Sequence, residues 1–184
     1  MTRAIARGAA LAAALVLALA ASARAGAPIV EPYRTERSAG GSGTAAYLEI
    51  GRAAFGEYPP STQVGFRVAS MKPGLMGVDF AMAAWLVPGA VVTPDLDLAY
   101  PIAISPEVRL SPRVGFSGLL AGGGNLIFVA GGANAGIGLV LNPNGPLSLR
   151  GDYTLRSFMS PELGENEVMH VLSAGISWGG PNAH

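Results

Sequence analysis

Across residues 44–178, apolar side chains alternate with small or polar ones, segment after segment. A period of two marks a β-strand lying between two different surroundings. Eight segments carry it, at residues 44–56, 62–71, 76–87, 93–104, 108–120, 126–141, 147–158 and 168–178. Stretches holding Gly, Pro, Asn or Ser separate them. One face bears Leu48 and Ile50, then Val64, Phe66 and Val68, then Val78, Phe80 and Met82, and so on to Leu172, Ile176 and Trp178. The other face bears Gly, Ala and Ser with scattered charges. With 26 Gly and 14 Pro among 184 residues, a helical bundle is disfavoured, because both residues break helices.

Segment length and face chemistry then select an architecture. Strands of globular proteins run to about five or six residues. A tilted strand crossing a bilayer needs roughly 9 to 11, and these segments match that. Only 13% of the residues are charged, which is little solubilising surface for a chain that is 50% hydrophobic. The small, sparsely charged face suits the crowded interior of a narrow barrel, and the apolar face suits lipid. An open sheet would leave backbone groups unpaired in hydrocarbon, so the barrel must close. The expected fold is all-β, an eight-stranded antiparallel up-and-down transmembrane β-barrel. Its inward charges would be Glu49, Asp79, Asp95, Asp97 and Asp152 against Arg67, Arg109, Arg113, Arg150 and Arg156. Equal numbers of each sign suggest an internal ion-pair network, since lone charges there are costly. The many inward Gly, Ala and Ser residues keep a cavity or pore open as an alternative.

Residues 1–25 have the marks of a secretory signal peptide. Arg3 and Arg7 precede an apolar run over residues 9–21, and Ala23-Arg24-Ala25 supplies a small-x-small cleavage site. The run is short of the about 20 apolar residues a spanning helix needs. Removing Arg3, Arg7 and Arg24 leaves the exported chain mildly acidic. Residues 26–43 are expected to form a flexible periplasmic leader, or alternatively a short plug. The barrel would occupy 44–180, and 181–184 a tail. Asn142-Pro143-Asn144-Gly145-Pro146 and Lys72-Pro73-Gly74 read as periplasmic turns. External connections are expected at 56–61, 88–92, 121–125 and 159–167. The acidic 161–167 stretch reads as a solvated loop tip, with divalent-cation contact to lipopolysaccharide as the sharper alternative. Phe55, Tyr58, Trp85, Tyr100, Phe128, Phe158 and Trp178 lie near strand ends, as interfacial aromatic girdles would.

Little in the chain points to chemistry. Cys is absent, so disulfides and thiolate sites are excluded. No basic excess suggests nucleic acid. His170 and Ser173 are three apart on one strand and face opposite ways, so they cannot form a nucleophile–base pair within it. Gly122-Gly123-Gly124 lacks the Lys and helix of a phosphate loop and reads as a hairpin. Asp95 and Asp97 share a face, where pairing with Arg is the expected arrangement rather than a metal site. No cofactor, metal or catalytic residue is assigned.

The segment His170-Val171-Leu172-Ser173-Ala174-Gly175-Ile176-Ser177-Trp178 is similar to the C-terminal signal that barrel-assembly machinery reads. Ser173, Gly175 and Trp178 fill the first three of its specified positions, and Gly180 stands where the final aromatic would be. Tyr47-Leu48-Glu49-Ile50-Gly51 and Leu149-Arg150-Gly151-Asp152-Tyr153 have the same barrel character. From Thr44 onward the chain resembles the small eight-stranded outer-membrane β-barrel proteins, of the opacity-protein and outer-membrane-protein-A transmembrane-domain type. That resemblance implies a monomer in the outer membrane of a Gram-negative-type bacterium, exported and then inserted by the assembly machinery. Its surroundings would be outer-membrane lipid and lipopolysaccharide. The expected role is structural or interactional, with a polar, mostly filled lumen and no enzymatic activity. The alternatives are a narrow passive channel for water or small solutes, and a soluble periplasmic barrel binding a hydrophobic ligand.

Overall fold

Alternation becomes hydrogen-bonded ladders where the sequence marks them. The computed structural model describes residues 43–56, 58–123, 126–159 and 167–178, all within the unit Ala39–His184. The signal-peptide and tail assignments, the leader before Gly43 and the acidic 160–166 stretch lie outside the described residues.

The strands are β1 (Thr44–Phe55), β2 (Tyr58–Ser70), β3 (Gly77–Trp85), β4 (Ala90–Ala99), β5 (Ile102–Ser105), β6 (Val108–Gly123), β7 (Leu126–Leu141), β8 (Leu147–Met159) and β9 (Glu167–Trp178). Every neighbour pair is antiparallel. Both β4 and β5 pair with β6, so they are two lengths of one barrel stave. β9 pairs with β1, and the ring of eight staves closes. The chain has the fold of an up-and-down transmembrane β-barrel. Both termini of the ring, Thr44 and Trp178, lie at one rim with the 71–76, 106–107 and 142–146 turns. That rim is called the near rim here, and the opposite one the far rim.

Among the segment boundaries that differ from the sequence expectation, three have a local reason. The fourth segment, read as continuous, breaks at Tyr100-Pro101. Pro101 has no N–H for a ladder. Its carbonyl instead accepts from Gly74 N at 2.9 Å, while Tyr100 N donates to Pro112 O at 3.0 Å. At the far rim β2 begins at Tyr58, so the expected 56–61 loop shrinks to a turn around Gly56, whose φ is 55°. Pro59 and Pro60 fit in that strand because β3 pairs with β2 only from Gln63 to Val68, leaving no partner for the missing donors. β6 runs on through Gly122 and Gly123, shortening the next far-rim connection as well.

The apolar face points out and the polar face points in. Ile127 is 83% exposed, Phe116 74% and Leu172 65%, while Arg113, Asp79 and Asp152 are buried. This reverses a water-soluble protein, in which burial of apolar surface drives folding. It also overturns the soluble ligand-binding alternative, which required the Leu/Ile/Phe face inside and Glu49, Arg67, Arg113 and Arg150 solvated. Among the described residues no helix is long and apolar enough to cross a membrane, a test that does not address strands.

Candidate functional site: the barrel interior

The interior divides into three layers along the axis. At the near rim, Ala45, Tyr47, Ala69, Met71 and Val140 pack into one apolar cluster. Tyr47 carries it into the polar layer: its Oη lies 3.0 Å from Ser148 Oγ, and the Arg150 guanidinium sits 5.7 Å from its ring centre. At the far rim, Ala53, Leu119, Ala130, Phe158, Met169 and Val171 form a second cluster, covered by Phe55, Trp85, Val91 and Phe128. Phe55 and Phe158 meet edge to face at 6.3 Å, from staves β1 and β8 with β9 between them.

Between the clusters lie the charges. A continuous relay runs Glu49, Arg67, Asp97, Arg113, Asp152, Arg150, Asp79. Arg67 Nε donates to Glu49 Oε1 at 2.9 Å, and its Nη1 lies 3.4 Å from Asp97 Oδ2. Arg113 Nε faces the same Asp97 oxygen at 3.3 Å, and its Nη1 pairs with Asp152 Oδ1. Arg150 Nε donates to Asp152 Oδ2 at 2.7 Å, while its Nη2 reaches Asp79 Oδ2 at 3.5 Å. The last contact joins β8 to β3, which stand half the ring apart. A second group stands beside the relay. Arg156 Nη2 donates to Asp95 Oδ2 at 2.6 Å, Ser117 Oγ donates to Asp95 Oδ1 at 2.6 Å, and Asn134 Nδ2 donates to Ser117 Oγ at 2.9 Å. Arg109 is separate. Its Nη1 donates to the Met71 carbonyl and its Nη2 to Asn144 Oδ1, each at 2.6 Å, so it ties two near-rim turns together.

Register explains why the guanidinium groups are needed. Asp79 and Asp97 are directly opposed across β3 and β4. Like charges so placed repel, and each carboxylate here has an Arg from another stave. Charge-assisted pairs are the strong hydrogen bonds of a low-dielectric interior.

Two inward glycines, Gly136 and Gly138, make room for these side chains. A Cβ on Gly138 would fall 2.6 Å from Asp152 Oδ1 and 2.8 Å from Arg150 Nη2. One on Gly136 would fall 3.1 Å from Arg113 Nη2. Some polar atoms stay without a protein partner among the described residues: Gln63 Oε1, Trp85 Nε1, Asn134 Oδ1 and Arg156 Nε. Gln63 and Trp85 are register partners on β2 and β3. Buried atoms of this kind are ordinarily met by ordered water.

All ten expected lumen charges therefore face inward, and nine of them meet an opposite charge. Among the described residues, Arg109 meets only carbonyl oxygens, of Met71 and of the Asn144 side chain. The girdle expectation needs correction for Phe55, Trp85, Phe128 and Phe158, which face the interior and build the far-rim cluster. Trp178 does face outward, at 64% exposure. Ser173 points inward, and Gly175 lies inside beside Glu49. His170 is exposed on the outer wall and Ser173 buried on the inner one, so the pair does not meet. Asp95 and Asp97 are taken up by Arg156, Arg67 and Arg113. Among the described residues no group of three or more His, Cys, Asp or Glu could hold a metal ion. Sequence reasoning missed Arg52. Of the charged strand residues with described side chains, it alone faces outward, and its even number on β1 already set it apart from Glu49.

No protein-family model and no curated protein sequence matches the chain. Solved structures do. The chain is similar to Neisserial surface protein A (NspA), at TM-score 0.58 and 12% identity over 76% of this chain and 99% of that one. It is similar to the N-terminal β-barrel domain of Pseudomonas aeruginosa OprF, at 0.53 and 13%, over 75% and 99%. It is also similar to Ail, the attachment invasion locus protein of Yersinia pestis, at 0.51 and 14%, over 73% and 95%. All three are eight-stranded outer-membrane barrels, and this chain shares their fold.

Proposed function

We propose that this chain resides in a bacterial outer membrane as a closed barrel with a structural or interaction role, and that it conducts no solute. The observation carrying this reading is the layered interior: an ion-pair relay held between apolar clusters at both rims. A conducting path needs continuous water, and each cluster replaces water with packed side chains such as Phe158 and Tyr47. The outward Leu, Ile, Val and Phe residues form the wall that hydrocarbon would wet. With the N-terminus in the periplasm, the near rim is periplasmic and the far rim external. Export would depend on residues 1–25, and insertion on the last strand, with Ser173, Gly175 and Trp178 read by the assembly machinery. The barrel would act as a monomer among lipid and lipopolysaccharide.

The test is to refold the protein in detergent, compare its gel migration with and without boiling, and then record single channels in planar bilayers. A heat-dependent shift with no discrete conductance steps is expected. Regular steps would overturn the sealed interior in favour of a passive channel. No shift, with good solubility in detergent-free buffer, would overturn the membrane assignment.

A further inference from the structure

One seam of the ring carries a proline on each of its strands, Pro94 on β4 and Pro112 on β6. Pairing of β4 with β6 stops after Val92–Leu120 and resumes at Asp95–Ser117. That register sets Pro94 opposite Gly118, and a Cβ on Gly118 would fall 3.0 Å from Pro94 Cγ. Nearer the other rim, Tyr100 N donates to Pro112 O at 3.0 Å. Backbone nitrogens along a strand turn to alternate sides. Leu98, Leu96 and Pro94 therefore present theirs to β6, as Tyr100 does. Two rungs are missing from this seam. Pro94 has no N–H for the Gly118 carbonyl, and Pro112 has none for the Tyr100 carbonyl. Between the two prolines stand only two pairs that exchange both hydrogen bonds, Leu96–Phe116 and Leu98–Val114.

Proline is ordinarily confined to sheet edges and bulges, and a closed ring has no edge. A rung lost at membrane depth costs more than one lost in water, because hydrocarbon offers no substitute. The ladders on either side are whole: β3–β4 pairs without interruption from Gly77 to Ala84, and β6–β7 from Val108 to Gly123. The β2–β3 ladder is short, Gln63 to Val68, but both its ends are held. Leu86 N donates to Thr62 O and Ser70 N to Asp79 Oδ1, each at 2.8 Å. Across the proline seam, interior side chains take the place of the missing rungs. Ser117 Oγ donates to Asp95 Oδ1 at 2.6 Å, directly across from it, and Arg113 Nε faces Asp97 Oδ2 at 3.3 Å on the diagonal. The Asp97 carboxylate lies over β6, since a Cβ on Gly115 would fall 2.6 Å from its Oδ1. Both contacts fall between Pro94 and Pro112.

We propose that the barrel opens sideways first at the β4–β6 seam, and that Asp95–Ser117 and Asp97–Arg113 form the latch that keeps it shut. The ion-pair network then has a second task besides balancing charge: it stitches from within a seam that the prolines weaken in the backbone. Local opening there exposes Asp95, Asp97 and Ser117 before any other part of the polar layer.

The test is amide hydrogen exchange, followed by NMR, of the full chain in lipid nanodiscs. In the parent, the amides of Leu96, Leu98, Val114 and Phe116 are expected to exchange at least about tenfold faster than those of Ile137 and Tyr153, a pair in the unbroken β7–β8 ladder. Pro94→Ala restores a donor and should slow the four seam amides about tenfold, the worth of one hydrogen bond at membrane depth. Ser117→Ala removes one stitch and should speed the same four, leaving Ile137 and Tyr153 unchanged. Equal exchange at both seams of the parent, or faster exchange in β2–β3, would overturn the weak seam. So would a Pro94→Ala protein that exchanges like the parent. A Ser117→Ala protein in which Ile137 and Tyr153 speed up by the same factor would overturn the latch, because the loss would then be one of global stability. Heat-dependent gel migration confirms that each variant forms the closed barrel before exchange is measured.

Discussion

Arg113 stands between Asp97 and Asp152 and holds a guanidinium contact to each. Removing it leaves two carboxylates facing each other in a buried space, with only Arg67 and Arg150 to compensate. Arg113→Met is expected to destabilise the barrel by about 3–5 kcal/mol, the usual cost of breaking a buried pair from one side. Urea unfolding followed by the loss of the heat-dependent gel shift measures it. Adding Asp152→Asn should recover part of the loss, because one orphaned charge then disappears. Gly138→Val tests the packing of the same pair. Its side chain would meet Asp152 Oδ1 and Arg150 Nη2, and a loss of about 1–3 kcal/mol is expected from overpacking. At this scale the sequence revealed direction but not partnership. Alternation placed Glu49, Arg67 and Asp152 on one face. It could not say that Arg150 reaches Asp79, because those staves lie half the ring apart and only closure brings them together.

Along a strand, what decides the role of an aromatic is its parity, not its closeness to an end. Phe158 shares parity with Arg150, Asp152 and Arg156, so it points inward and is fully buried. Trp178 shares parity with Leu172 and Ile176 and points outward. Both lie near strand ends, and a reading by position alone assigned both to a girdle. Phe158→Ala should therefore cost about 3–5 kcal/mol, as a buried aromatic does, while Trp178→Ala leaves folded stability nearly unchanged and slows assembly. Unfolding midpoints and the rate of insertion into vesicles separate the two effects. Turn positions were legible wherever Asn-Gly or Lys-Pro-Gly marks them. The break at Tyr100-Pro101 was not, because Pro101 is accommodated by a hydrogen bond from Gly74, a residue on a different turn.

In the barrel as a whole, an apolar wall encloses a charged middle with an apolar cluster toward each rim. If the proposed sealed interior is right, opening the far-rim cluster alone should not create conductance, since Tyr47, Met71 and Val140 remain packed at the other end. Phe158→Ala combined with Tyr47→Ala is the pair expected to let small ions leak, and planar-bilayer recording of single and double variants checks this. The eight staves and their facing were legible because one alternation recurs in every segment. The two apolar clusters were less so, since apolar interior residues at strand ends look like the start of a lipid-facing row. The most direct measurement leaves every side chain in place: NMR of the protein in lipid nanodiscs, with lipid-dissolved oxygen relaxing the side-chain signals along β7. The expected result is a period of two, with Ala133, Ala135, Ile137 and Leu139 relaxed by oxygen and Ala130, Asn134 and Val140 protected. A pattern without alternation, or one with the even positions in lipid, would contradict the inside-out barrel.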